Sequence, residues 1–549
     1  MTDTDLDRLA ADYWDAFLQR HPTYATAIGD RRFDALLPDD SPRGRAAWSA
    51  ALERFQQRLD ALGDDADPVT RAALAESLNA DRAQLEADLG AFTVDPMDGP
   101  QVDLLNIPSY HSVRTPAEAD ALLARWRAMP PYIDTAAQRL REGAGRGRTG
   151  VATLVAKSIE QLDDLLARPD ADWPLMAPAA EAHAIGDDLL AVVRDEIRPA
   201  FARYRALLAD ELAPVARPDD RPGLVHLPRG ERAYRAVARA HTSLDTAPEE
   251  IHAIGLREIE RIDAEFIELG GRLLGTDGLD ATLRALRSDP ALHFSTADEI
   301  VAVAEASLAR ANAAIPDWFG RLPQAPCEVV VIPPHEEKHT TIAYYRDPAA
   351  DGSRPGQYYI NTYAPETRPR YEAEVLAFHE SVPGHHLQLA IAQELTELPA
   401  FRRFNGTTAF IEGWGLYTER LSEEMGLLSG DLDRFGVLSF DAWRASRLVV
   451  DTGIHALGWT RQQAIDFMTD HTALGENNIA NEVDRYIAWP GQALAYKLGQ
   501  LELLRLRAEA RERLGDRFDI RAFHDAVLGG GALPLPALRT AVEQQLPGA

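Results

Sequence analysis

The stretch Phe378-His379-Glu380-Ser381-Val382-Pro383-Gly384-His385-His386-Leu387-Gln388 gathers two imidazoles and a carboxylate within a few helical turns. On an α-helix residues four apart share a face, so the pattern H-E-x-x-H brings two histidines to one ion and leaves the glutamate facing its water. Removing Pro383-Gly384 restores that pattern as His379-Glu380-Ser381-Val382-His385. The pair reads as a bulge inserted in the ligand helix. Proline withholds a backbone N–H and glycine accepts unusual dihedrals, so the helix can jog and swing the later histidine onto the metal. On an unbroken helix His386 would share the face of His379 but lie about 10 Å along the axis, too far for one ion, so the kink favours His385. Val375, Phe378 and Val382 flank His379 at helical spacing and put it on the buried side.

A second stretch, His335-Glu336-Glu337-Lys338-His339, matches the pattern letter for letter. It follows a β-branched run and Pro333-Pro334 and has no apolar helical stripe, so it reads as a charged connection between strands and is set aside as a metal site.

A catalytic zinc needs a third protein ligand and an open position. Glu412-Gly413-Trp414-Gly415-Leu416-Tyr417-Thr418-Glu419 supplies one. Glu412 and Glu419 share a helix face, and two glycines inside a helix, costing about 1 kcal/mol each against alanine, point to close helix-to-helix approach. Glu412 is assigned to the metal, and Glu419 is placed behind a ligand imidazole, where a carboxylate can orient it. Glu380 is then the general base.

Arg444, Arg447, Asp451 and His455 form a polar stripe on an otherwise apolar helix, which signals a buried network or a polar cleft. Arg447, oriented by Asp451, is assigned with His455 to substrate binding, its planar fork suiting a terminal carboxylate. A plain Arg447–Asp451 ion pair is the alternative. Tyr486 or Tyr496, on either side of Pro490-Gly491, is the candidate donor to a developing oxyanion, with core packing as the alternative for each.

The one strong β region is 327–363, with strands expected at Glu328–Ile332, Thr340–Tyr345 and Gln357–Thr362. The small sheet should meet the metal helix. Tyr358-Tyr359-Ile360-Asn361 reads either as an edge strand that holds an extended peptide, with Tyr359 among the contacts, or as an ordinary covered strand. Up to about residue 325 the chain reads as helix after helix, including Leu6–Leu18, Ala117–Arg127, Thr149–Ala167 and Pro248–Leu269, the last capped by Thr246. Residues 1–325 are thus expected as a helical region and 326–549 as the metal-binding region.

The chain has 549 residues, 46% of them hydrophobic, enough for a large core. Its net charge of −29 repels nucleic acid and anionic membrane. The single Cys327 excludes an internal disulfide framework and a cysteine-rich metal site. The acidic start Met1-Thr2-Asp3-Thr4-Asp5 lacks the features of a signal peptide, so a cytoplasmic location is expected.

His379-Glu380-x-x-Pro383-Gly384-His385-x-x-Gln388, Glu412-Gly413-Trp414-x-x-Tyr417-x-Glu419 and Pro490-Gly491-Gln492-Ala493-x-x-Tyr496 together resemble the bacterial family catalogued as domain of unknown function 885. More distantly they are similar to the glutamate-ligand zinc peptidases of the thermostable carboxypeptidase, oligopeptidase and angiotensin-converting enzyme type. The resemblance implies a mainly α, two-lobed, zincin-like metallopeptidase fold with a small β-sheet beside the metal helix and the metal at the floor of a cleft. The expected function is a hydrolase with one Zn2+ per chain, cleaving short peptides from a free C-terminus. An amidase of a small non-peptide substrate and an inactive peptide-binding protein are the alternatives.

Overall fold

A computed structural model of the chain describes residues 5–546 apart from 64–65, 181–184, 334–336, 338–340, 350–351 and 353. Of the second H-E-x-x-H stretch only Glu337 falls among the described residues, so His335 and His339 lie outside them. The chain is mainly α-helical, with one three-stranded sheet among the described residues.

The chain divides into two compact units, each assembled from three stretches: 1–63, 81–236 and 454–462 form one, and 64–80, 237–453 and 463–549 the other. The expected boundary near 325 is therefore corrected. Helical periodicity continues across residue 237 without a break, so nothing in the local pattern marks the passage into the second unit.

The first unit is all helix. Helices Pro116–Arg127, Met129–Gly145 and Ala152–Ala167 bury Leu122, Trp126, Ile133 and Leu162 against Phe201 and Leu208. The first of these starts on a capping box, where Thr115 accepts the N–H of Glu118 and Glu118 accepts that of Thr115.

In the second unit we number the elements that build the site. Helix α1 is Pro248–Leu273 and α2 is Ala297–Ala314; the strands are β1 Cys327–Val331, β2 Ala343–Arg346 and β3 Gly356–Ile360. Then come α3 Arg370–Glu380, α4 His385–Glu394, α5 Thr408–Glu424, α6 Arg434–His455, α7 Glu476–Ala488 and α8 Leu494–Leu514. The start of α1 differs from expectation: Ala247, not Thr246, is the capping position, and Pro248 with Glu249 and Glu250 supplies the helix-start chemistry.

The strand order is β1-β3-β2, with β1 and β3 parallel and β2 and β3 antiparallel. Strand β3 is central, so both of its edges are bonded, and an extended peptide cannot add to Tyr358–Asn361 as the edge-strand reading expects. Tyr359 stacks on Tyr344 at 4.6 Å. The sheet buries Ala343, Tyr358 and Ile360 in one cluster with Ile300 and Ala304 of α2 and Ala377 of α3. On another side, Ile259, Ile262 and Phe266 of α1 pack with Tyr371 of α3 and with Phe435, Leu438 and Ala442 of α6.

Four helices of this unit are tied through one carboxylate. Asp441 on α6 receives Lys497 of α8 at 2.5 Å, Arg420 of α5 at 2.6 Å and Arg261 of α1 at 3.0 Å. Lys497 and Asp441 are each 1% exposed. Burial alone would raise the Asp441 carboxyl, but Lys497, Arg420 and Arg261 together hold it far below the usual range. Asp441→Asn should lower the unfolding free energy at pH 7 by about 1–3 kcal/mol, because Lys497 is left with the partly exposed Glu258, at 3.0 Å, as its one counter-charge among the described residues. Since the folded carboxyl is depressed, its contribution is complete above about pH 4–5 and is lost as pH falls below the unfolded value of about 3.9. Urea titrations at pH 6 and pH 3 should show the gap between wild type and variant narrowing at the lower pH; a gap that widened would assign the stabilisation elsewhere.

Candidate metal centre

Helix α3 stops at Glu380 and α4 starts at His385, with Ser381–Gly384 as a tight turn containing a cis bond between Val382 and Pro383. The expected jog within one ligand helix is thus two helices meeting at a turn. Pro383 has no N–H for the helical ladder, and its ring disfavours a helical conformation for the residue before it. The turn is fastened from outside: the indole N–H of Trp414 on α5 donates to the Pro383 carbonyl at 3.0 Å.

Helix α5 approaches closely enough to require glycine. A Cβ on Gly413 would lie 2.5 Å from the backbone of Gly499 on α8, and one on Gly415 would lie 2.7–2.8 Å from Cε1 and Nε2 of His379. The paired glycines therefore do serve close helical approach. They bring Glu419 to His379, whose Nδ1 is 2.7 Å from the Glu419 carboxylate. With its proton on Nδ1, His379 presents the Nε2 lone pair outward, the arrangement in which carboxylates orient ligand imidazoles. Burial pushes the Glu419 carboxyl up to about 8. Burial also holds His379 well below the usual imidazole range, with His385, Arg444 and Arg447 adding to the effect.

Glu412 Oε2 lies 4.0 Å from Nε2 of His379 and 3.6 Å from Nε2 of His385, and all three donor atoms fall within 4.8 Å of one another. Zinc ligands at about 2.0–2.2 Å in a tetrahedron are separated by roughly 3.4 Å, so the three atoms would have to draw in, by roughly 0.2 Å and 0.6 Å at the two Glu412 separations, to hold a divalent cation. Glu412 keeps 21% of its side chain exposed, which gives the group an opening to solvent. Burial would lower the His385 pKa, yet Glu412 above all, then Glu380 and Asp347, hold it above the usual value. Burial likewise opposes ionisation of Glu412, and His385 outweighs it and holds that carboxyl low. His385 is thus held toward its charged form and His379 toward its neutral one, and the three atoms are of the types that a divalent cation takes as ligands.

His386 is turned elsewhere. Its Nδ1 is 2.8 Å from the Tyr345 hydroxyl and its Nε2 is 3.0 Å from the Ala325 carbonyl, so both nitrogens are committed. Glu380, the last residue of α3, has the backbone of Tyr345 on edge strand β2 beside its carboxyl. Burial raises its pKa.

The remaining candidates separate. Arg447 donates from Nε to the Tyr486 hydroxyl at 3.0 Å and from Nη2 to Glu482 at 2.8 Å, so Glu482 and not Asp451 orients it. Asp451 instead receives the Gly491 N–H at 3.1 Å on both oxygens. His455 belongs to the first unit, where its Nδ1 accepts the Leu224 N–H at 3.2 Å and its ring stacks on Tyr234 at 5.2 Å. That environment gives it a structural role in place of the expected substrate contact. Tyr486 gives its hydroxyl proton to Glu482 at 2.8 Å, whereas the Tyr496 hydroxyl accepts from Arg485 at 3.3 Å and keeps its own proton uncommitted among the described residues. Of the two tyrosines, Tyr496 is therefore the available donor. Sequence reasoning missed Glu482 and Asp347. Glu482 had a local signal, since it precedes Tyr486 by one helical turn; Asp347, after β2, had none.

None of the curated proteins matches this chain in sequence. Among solved structures, a putative lipoprotein from Colwellia psychrerythraea is 27% identical, with a TM-score of 0.92 and 98% of each chain covered. A putative lipoprotein of unknown function from Shewanella oneidensis is 18% identical, with a TM-score of 0.75, covering 97% of this chain and 99% of its own, and shares the fold. The name of the Colwellia protein points to a membrane-anchored or secreted protein and overturns the expected cytoplasmic location. No helix among the described residues is long and apolar enough to cross a membrane. The family model for bacterial proteins of unknown function, DUF885, matches residues 22–542, and the chain belongs to that family.

Proposed function

We propose that this protein is a zinc-dependent hydrolase of zincin-like helical fold that cleaves short peptides. The observation that carries the reading is the convergence of His379 Nε2, His385 Nε2 and Glu412 Oε2, with Glu419 behind His379 and Glu380 alongside. A zinc ion held by these three residues would supply Lewis acidity toward a water and a scissile carbonyl. Glu380 takes the proton of the attacking water and returns it to the leaving amine, its raised pKa matching both duties. The uncommitted hydroxyl of Tyr496 donates to the oxygen that gains negative charge. Edge strand β2, rather than β3, is where an extended substrate would lie beside Glu380. A peptidase at a membrane-anchored or secreted location agrees with the name of the Colwellia protein.

Elemental analysis of the purified chain should find one zinc per molecule. His379→Ala, His385→Ala and Glu412→Ala should each lose it, whereas His386→Ala should keep it, because the His386 nitrogens serve Tyr345 and Ala325. Glu380→Gln should retain zinc and lose at least about 100-fold in peptide cleavage. A Glu380→Gln protein that came out metal-free would reassign Glu380 from base to ligand.

Gly415→Ala probes the packing behind the site. The added methyl meets the His379 ring and should cost about 1–3 kcal/mol through overpacking while weakening zinc retention. Competition with a chelator measures the second effect; retention equal to wild type would show that the His379 position does not depend on that close contact.

A further inference from the structure

Two buried arginines on α6 carry N–H groups that find no acceptor among the described residues. Arg444 and Arg447 are 6% and 2% exposed, and their guanidinium faces are covered by aromatic rings. The carbon of the Arg444 guanidinium lies 4.2 Å from the Trp443 ring and 4.7 Å from that of Phe440, and the Arg447 carbon lies 4.3 Å from the Tyr496 ring. Such stacking engages the face of the cation and leaves its N–H groups, which point outward in the plane, still seeking acceptors. Arg447 spends Nε and Nη2 on Tyr486 and Glu482, and its Nη1 is buried without a partner. Arg444 makes no hydrogen bond or ion pair among the described residues, and its Nε and Nη1 are both buried and unbonded.

The nearby carboxylates do not answer this demand. Glu482 is shared between Arg447 and Arg485, at 2.8 Å and 3.6 Å, and does not reach Arg444. Glu419 is engaged with His379, and Glu372 with the Ser439 hydroxyl at 2.6 Å. The cluster adjoins the candidate metal site, since the charge of Arg447 is felt by Glu412 and that of Arg444 by Glu380. A buried guanidinium whose in-plane N–H groups lack acceptors is matched by a planar anion with two oxygens.

We propose that Arg444, together with Nη1 of Arg447, receives a carboxylate of the substrate, so that the enzyme acts on short peptides bearing a free carboxylate near the scissile bond. Arg444 thus takes the role expected of Arg447, and the inference rests on the proposed hydrolase only for where that bond lies. The carboxylate has two sources, the C-terminus of the peptide or an acidic side chain.

Titration calorimetry on the full-length, zinc-loaded Glu380→Gln chain distinguishes them, with N-acetyl-trialanine, its C-terminal amide, and N-acetyl-Ala-Asp-Ala amide as probes. The free acid should bind at least ten-fold tighter than its amide if the C-terminus is the source; recovery of affinity by the aspartyl amide alone identifies the side chain. Adding Arg444→Gln should abolish the preference, and Arg444→Lys, which keeps the charge but not the fork, should restore part of it. Equal binding of all three probes, no binding of any at millimolar concentration, or a preference that survives Arg444→Gln in a protein melting like wild type would each overturn the proposal. If Arg444→Gln does not fold, the acid–amide comparison in the parent chain decides. Zinc content and cleavage by the unmutated chain, measured separately, report on the hydrolase itself: an enzyme that binds zinc and cleaves acid and amide alike loses the carboxylate site only, and a zinc-free chain that still prefers the acid loses the hydrolase only.

Discussion

The distance at which α5 runs past its neighbours governs the rest of the second unit. Gly413 and Gly499 let α5 and α8 meet backbone to backbone, and Gly415 lets the His379 ring lie directly on the helix. At that separation Glu419 reaches His379, Trp414 reaches the Pro383 carbonyl, and Glu412 projects to where the two imidazoles converge. One helix therefore contributes a candidate ligand, the carboxylate that orients another, and the clasp on the turn between α3 and α4. Shifting α5 outward by the width of a methyl group would disturb all three together, because interiors this tightly packed transmit displacement rather than absorb it.

Buried charge is handled in two opposite ways within the same unit. Around Asp441, three cations from three helices surround one acid, and Glu258 also receives Lys497 at 3.0 Å, so the network is dense and closed. Around Arg444 the chain stops short of closure and leaves donors without protein acceptors. The first arrangement fixes helices in place. The second holds charge in reserve for something that is not part of the chain, and it lies beside the only group of three ligand-type side chains found to converge among the described residues.

Much of the candidate site was legible because its chemistry is local in sequence. The spacing of His379, Glu380 and His385 survives once Pro383-Gly384 is recognised as an interruption, and Glu412 with Glu419 repeats along one helix face. What the pattern could not convey was pairing between distant segments. The alternation of 356–360 marks a strand but not its position between two others, so the sequence leaves edge and covered strand both open and the pairing decides for the second. Arg447 and Asp451 are one turn apart and look like partners, yet the carboxylate that holds Arg447 comes from α7. The division into units was hidden for the same reason, because helical periodicity is unchanged where the chain passes from one unit to the other.

The interleaving of the units has a consequence for biosynthesis. A chain emerging from the ribosome exposes its N-terminal segments first, and domains commonly fold as they appear, at about 5–20 residues per second. Here the first unit is incomplete until residues 454–462 are made, and the second draws on 64–80, made long before the rest of it. Reaching residue 462 takes roughly 25–90 s at such speeds. Throughout that interval the apolar faces of the early helices lack part of their final surroundings, so neither unit corresponds to a truncation product, and a nascent-chain binding factor would have a long window in which to act.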